Sequence, residues 1–152
     1  MREHHSDIVK VLAWACLIGY GACLLFWMFR GFGRTMHTEY RYNLIPLHTI
    51  LGYMANANSH NMKTTVINLA GNIGVFVPFG VLIPILFDGL KRFGRFIGWF
   101  TASVIVLELL QTFLRVGTGD VDDVILNGIG ASCGYMLYRR FAPEHRNGGG
   151  VR

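Results

Sequence analysis

Charged residues are scarce in this sequence. Only 15% of its 152 residues are Asp, Glu, Lys or Arg, whereas 52% are hydrophobic, and the mean hydropathy is +0.38. An ordinary water-soluble domain keeps these two classes nearer balance. The composition therefore favours a membrane protein over a soluble all-helical one, and the length of the apolar runs decides between them.

Signatures of metal, redox and nucleic-acid chemistry are also missing. The sequence contains no H-E-x-x-H zinc motif and no Walker element. Its three cysteines, Cys16, Cys23 and Cys133, lie in apolar runs without metal-ligand or redox spacing, so we expect them to pack as small hydrophobic residues. We expect no cofactor and no bound metal, and no basic face suited to a nucleic acid.

The apolar residues form four long runs. They cover Ile8 to Phe29, Thr65 to Phe87, Phe96 to Leu114 and about Val121 to Phe141. Each is long enough for a helix to cross about 30 Å of hydrocarbon at about 1.5 Å per residue. The sequence thus predicts an all-α, polytopic membrane protein: one domain of four transmembrane helices at 1–142, then a flexible tail at 143–152.

The positive charges predict the orientation. Nine of the 14 Lys and Arg residues lie near the two termini or between the second and third runs, and five lie in the other loops. Because short cytoplasmic loops carry an excess of positive charge, this split places both termini in the cytoplasm. Basic anchors against anionic lipid then account for most of the net charge of +5.

A loop of about 35 residues separates the first two runs. Its segment NLIPLHTILGYM, residues 43–54, has apolar residues at helical spacing, with Pro46 in a first turn that tolerates it. The segment predicts an amphipathic helix that lies on, or dips into, the outer face of the membrane. Such a helix either caps the bundle or serves as a lid or ligand surface, and the sequence leaves both open.

Polar side chains share one face on each of the three later runs. The helical spacing groups Asn68 with Asn72, Glu108 with Gln111 and Arg115, and Asp120 with Asp123 and Asn127. In the predicted orientation all three faces lie in the outer half, so we expect one outer pocket. On the fourth run, Gly130 and Gly134 continue the polar face as a G-x-x-x-G packing stripe.

Each polar group also has a structural interpretation. Asp120, Asp122 and Asp123 are able to cap the fourth helix; we prefer capping for Asp122 and a functional role for Asp120 and Asp123. Asn68 and Asn72 serve equally well as interhelical hydrogen-bonding groups. Glu108 lies too deep in its run for capping, so it needs an ion pair or a function.

Four segments resemble a known family. They are NLIPLHTI, NLAGNIGVFVPFG, ELLQ and RVGTGDVDDVILNGIGASCGY, which between them extend from Asn43 to Tyr135. In order and spacing they resemble the VanZ-like family of bacterial membrane proteins, named for a teicoplanin-resistance protein. The family's signature polar residues fall on Asn43, Pro46, Asn68, Asn72, Glu108, Gln111, Asp120, Asp123 and Asn127. Two positions depart from the family pattern: Gly119 replaces an expected aromatic residue, and Gly128 replaces an expected Thr.

The resemblance implies a multi-pass protein of the bacterial plasma membrane that is linked to the cell envelope and to lower susceptibility to a lipoglycopeptide. It implies no established reaction. Two functions remain open: a binder of a lipoglycopeptide or a lipid-linked wall precursor, which we favour, and a small intramembrane enzyme that uses its carboxylates or a metal. Expected partners are membrane lipids and such a ligand, and a homodimer is left open. The candidate pocket residues are Asn43, His48, Asn68, Asn72, Glu108, Gln111, Arg115, Asp120, Asp123 and Asn127.

Overall fold

The computed structural model describes residues 2–31, 36–56 and 62–141, without the side chains of residues 2–6 and 64. The predicted tail at 143–152 lies outside the described residues. Within them the chain is mostly helical, as predicted. The helices are α1 (Arg2–Arg30), α2 (His48–Ala55), α3 (Met62–Gly74), α4 (Val77–Leu86), α5 (Phe93–Phe113) and α6 (Val121–Phe141), with a 3-10 turn at Asp88–Leu90.

Three helical stretches are long and apolar enough to cross a membrane: Asp7–Arg30, Thr65–Leu86 and Phe93–Phe113. The fourth predicted run is α6, whose 21 residues begin and end where the sequence predicted. It is not among these three, and its crossing of the membrane stays a prediction. Helix α6 is the central helix, because α3, α4 and α5 all pack against it, so its polar residues are shielded by protein.

The second predicted span is two helices and not one. Helix α3 ends at Gly74, and α4 begins at Val77 with Pro78 in its first turn. Proline has no N–H to continue the helix before it, so the break falls at residues 75–76. The hydroxyl of Tyr20 on α1 donates a hydrogen bond to the Val75 carbonyl at 2.9 Å. A break at membrane depth needs such internal partners for its backbone groups.

Glycines let α6 approach α3 and α4 closely. A Cβ added to Gly130 would collide with the carbonyl oxygen of Ile73, and one added to Gly134 with that of Val77. From the opposite side, a Cβ on Gly80 would meet the Ala131 carbonyl. The predicted G-x-x-x-G packing stripe is therefore confirmed, since only glycine fits at these contacts.

The bundle separates aromatic packing from polar groups. Phe76, Phe96, Phe100 and Tyr135 form most of a buried apolar cluster, in which the Phe96 and Tyr135 rings stack with centroids 5.3 Å apart. The polar faces lie toward the other end, where α3 and α6 begin, α5 ends and residues 36–56 pack. We call this the loop end; the sequence predicts that it faces outside.

Candidate functional site

A short parallel pairing joins the loop to the start of α6. Strand β1 (Tyr42–Asn43) pairs with β2 (Gly119–Asp120), so that Asn43 lies opposite Asp120. The Asn43 amide donates to Oδ1 of Asp120 at 3.3 Å and to the Thr49 hydroxyl at 2.9 Å. The Thr49 hydroxyl in turn donates to Oδ2 of Asp120 at 2.5 Å. We call these three residues, together with Asp122, the loop junction.

Asp120 also caps α6. Its Oδ1 accepts the backbone N–H of Asp122 at 2.9 Å, which is the bond that a residue preceding a helix makes to the second helical position. The Asp120 side chain is 8% exposed. One buried carboxylate therefore begins α6 and holds Asn43 and Thr49 of the loop.

Asp122 is fully buried and caps a different helix. Its carboxylate accepts the backbone N–H groups of Leu47, Thr49 and Ile50 at 2.5, 2.8 and 3.0 Å. Helix α2 has no side-chain cap of its own, and Leu47 before it has a left-handed φ of 66°. A leucine in that conformation costs about 1–2 kcal/mol, which these charge-assisted bonds offset.

Two expectations are corrected by this arrangement. The preference for Asp122 as the cap of α6 is wrong, because Asp120 makes that bond and Asp122 caps α2. A loop helix with Pro46 in its first turn is also wrong, because α2 begins at His48. The loop does contain a helix, but the backbone donors at its start bind Asp122, and residues 42–43 form β1.

An apolar cavity with two carboxylates lies beside the loop junction. Its volume is about 430 Å³, and we call it the junction cavity. Glu108 of α5 and Asp120 are its acidic residues, and both side chains are buried. The described residues that line it are Tyr42, Leu44, Ile105, Glu108, Leu109, Thr112, Gly119, Asp120, Val121 and Val124. Of the predicted pocket residues, Glu108 and Asp120 lie in this wall.

The predicted amide residues lie between helices. Asn72 of α3 donates to Oδ1 of Asp123 at 2.6 Å. Gln111 of α5 donates to the Met28 carbonyl of α1 at 2.8 Å, and Asn68 of α3 donates to the Tyr53 hydroxyl of α2 at 3.3 Å. For Asn68 and Asn72 these geometries match the interhelical role that the sequence left open, and Gln111 makes a bond of the same kind.

Two further predicted residues stand apart from the cavity. Asn127 is buried within α6, and within the described part of the chain its Oδ1 has no hydrogen-bond partner. His48 is exposed at the first position of α2. Neither belongs to the residues that line the junction cavity.

Arg115 does not reach the carboxylates. It has a left-handed φ of 56° just beyond the end of α5. The backbone N–H of Arg115 donates to the Thr112 carbonyl, and the backbone N–H of Val116 donates to the Gln111 carbonyl. This is the Schellman ending of a helix, in which glycine usually takes the left-handed position. The expectation that Asp123 faces Arg115 is wrong: the guanidinium lies 4.5 Å from the Tyr40 ring centroid.

Two specific arrangements, a metal-ligand cluster and a nucleophile elbow, are not found among the described residues. Across the three described ranges, no three His, Cys, Asp or Glu side chains group as metal ligands. Residues 130–134 read G-x-S-x-G, but they lie inside α6 and not at a strand-to-helix turn. The hydroxyl of Ser132 there donates to the Gly128 carbonyl of its own helix at 2.7 Å.

Sequence reasoning missed Thr49 and the true role of Asp122. Both contacts join segments more than 70 positions apart. Asp122 binds backbone N–H groups, which nearly every residue carries, so no residue pattern in the loop could have pointed to it. The three neighbouring acids indicated only that they were able to cap the fourth helix.

Comparison with known proteins gives a consistent result. The VanZ/LLP1 family model matches residues 11–142. Protein VanZ from Enterococcus faecium is 26% identical over 111 residues, covering 70% of this chain and 65% of the relative. This chain therefore spans slightly less than two thirds of that relative's length. No solved structure matches the chain.

Proposed function

This chain belongs to the VanZ/LLP1 family, and from that premise we propose that it binds an amine-bearing amphiphile in the junction cavity at the outer leaflet. The ligand we favour is an acyl-bearing glycopeptide antibiotic of the teicoplanin type. Binding it there lowers the amount that reaches the cell wall and so lowers susceptibility. A lipid-linked wall component is the other ligand of this class.

The composition of the junction cavity carries the proposal. Its walls are apolar apart from a few polar groups, its volume of about 430 Å³ falls within the range of ligand pockets, and its acids are Glu108 and Asp120. The described lining residues include no Lys, Arg or His. Apolar walls suit an acyl chain, and two carboxylates suit an ammonium group over a phosphate.

The loop contributes to the same cavity. Tyr42 and Leu44 form part of its wall, and Asp122 and Asp120 fix the segment that carries them. A ligand that enters from the membrane therefore contacts both the loop and α5. This makes the position of the loop a determinant of affinity.

Susceptibility tests with two related antibiotics test the proposal. The chain is expressed in a teicoplanin-susceptible bacterium, and growth inhibition is measured for teicoplanin and for its core without the acyl chain. We expect protection against teicoplanin alone. Glu108→Gln should abolish it with membrane levels unchanged, whereas Asp88→Asn should retain it, because Asp88 is an exposed acid whose partner is Lys91.

Binding to the purified chain in lipid nanodiscs completes the test. Labelled teicoplanin should bind the parent chain and the Asp88→Asn variant, and Glu108→Gln should weaken binding about tenfold, the loss expected for one charge-assisted hydrogen bond. Recovered antibiotic should have an unchanged mass. Equal protection against both antibiotics, or equal binding by both variants, contradicts the proposal. A changed mass would favour the enzyme class instead.

A further inference from the structure

A second cavity lies beside the junction cavity, on a neighbouring face of α5. Its volume is about 490 Å³, and we call it the α5 groove. Leu109 and Thr112 belong to the walls of both cavities. The described residues that line the groove are Tyr40, Val106, Leu109, Leu110, Thr112 and Phe113. Apart from Thr112 and the Tyr40 hydroxyl, this lining is apolar.

A cation stands at the loop end of this groove. The guanidinium of Arg115 lies over the ring of Tyr40, which is itself a wall of the groove. One of its N–H groups donates to the Thr38 carbonyl at 3.3 Å. No carboxylate in the described ranges forms a salt bridge with it, and a guanidinium offers five N–H donors. Most of its donors are therefore available to an anion.

The left-handed backbone of Arg115 favours a functional role for its side chain. Arg115 occupies the left-handed position of the Schellman ending, where glycine meets the conformational requirement without a penalty. A non-glycine residue in such a conformation persists when the surrounding structure fixes it, and such residues cluster at ligand-binding sites. In the described structure Arg115 supplies a cation held over an aromatic wall.

We propose that the α5 groove binds an anionic phospholipid, with its phosphate on Arg115 and an acyl chain along α5. From Val106 to Phe113 the helix rises roughly 10 Å, about two thirds of the hydrocarbon thickness of one leaflet. A lipid whose acyl chain lies in the groove therefore has its phosphate at the level of Arg115. The site does not depend on the proposed function of the junction cavity.

The two cavities have opposite electrostatic character. The junction cavity contains Glu108 and Asp120, and the α5 groove ends at Arg115. These charges direct a phosphate lipid to the α5 groove and an amine-bearing ligand to the junction cavity. The sequence had placed the acids and the arginine in one pocket; the structure separates them.

Native mass spectrometry of the full chain in a non-ionic detergent tests the site. Phosphatidylglycerol is titrated against phosphatidylcholine with the same acyl chains, and we expect about tenfold tighter binding of phosphatidylglycerol. Arg115→Gln and Arg115→Gly should remove this preference, and Arg115→Lys should retain part of it. Arg41→Gln is the matched control, because Arg41 is an exposed arginine at the same loop end of the bundle.

Four results would overturn the site. The first is an equal loss of phosphatidylglycerol binding in Arg115→Gln and Arg41→Gln, which would indicate diffuse attraction by the net charge. The second is displacement of the lipid by excess inorganic phosphate, which would indicate a free-anion site without an acyl chain. The third is an absence of preference in the parent chain. The fourth is loss of lipid binding in Glu108→Gln, which should leave it unchanged while weakening teicoplanin binding.

Discussion

The carboxylate of Asp122 accepts the backbone N–H of Thr49 at 2.8 Å, across 73 positions of sequence. With its bonds to Leu47 and Ile50, this one buried side chain on the central helix fixes the start of the loop helix. The hydroxyl of Thr49 donates a second hydrogen bond to α6, to the carboxylate of Asp120 at its start. Asp120 and Asp122 thus hold the loop to α6, because both carboxylates accept hydrogen bonds from Thr49.

Replacing Asp122 should release the loop. In Asp122→Asn one acceptor oxygen becomes an NH₂ donor that faces backbone donors, and each buried donor left without a partner costs about 1–3 kcal/mol. We expect a loss of about 3 kcal/mol in the free energy of unfolding and faster proteolysis within residues 36–56. Asp88→Asn is the control, and equal proteolysis of the two variants would contradict the capping role.

Two glycines on α6 should respond oppositely to the same change. Gly134→Ala drives a methyl group into the Val77 carbonyl, whereas a Cβ on Gly128 meets nothing within 4 Å. Overpacking of this kind costs about 1–3 kcal/mol, so Gly134→Ala should lower the melting temperature in detergent. Gly128→Ala should leave it unchanged or raise it, because alanine favours helix. Equal melting temperatures would mean that α6 and α4 are not closely packed.

The helix break at residues 75–76 should depend on Tyr20. Tyr20→Phe removes the hydroxyl that donates to the Val75 carbonyl and keeps the ring beside Phe79, so we expect a loss of about 1 kcal/mol of stability. Tyr138→Phe is the control, because its hydroxyl makes no hydrogen bond within the described part of the chain. An equal loss of unfolding free energy in both variants, measured by chemical denaturation, would contradict this role, because it would reflect only the removal of a hydroxyl group.

The orientation predicted from the basic residues is open to direct measurement. In a background without the native cysteines, cysteine at His48 or Thr118 should react with an impermeant reagent in intact cells. Cysteine at Gly89, beside Lys91, should not react; a Cβ there meets nothing within 4 Å, so the substitution is tolerated. Labelling of the Gly89 position would invert the orientation and place the junction cavity on the cytoplasmic side.

Local patterns determined much of the fold. The apolar runs predicted the ends of α6 and placed those of α5 within three residues. The G-x-x-x-G spacing predicted the packing face of α6, because helical period and small side chains act within a few turns. The break before α4 had a signal in Pro78, but proline is tolerated inside membrane helices. The sequence therefore predicted one continuous span there.

Tertiary structure decided which polar residues meet. From the sequence, Asp120, Asp122 and Asp123 are three acids at the start of one helix. In the fold, Asp120 joins the junction cavity, Asp122 binds loop backbone and Asp123 binds Asn72. Arg115 belongs to the polar face of α5 only while the helix continues; its left-handed backbone turns it to Tyr40. Spacing identifies a shared face, but long-range backbone contacts, which carry no residue signature, select the partner of each side chain.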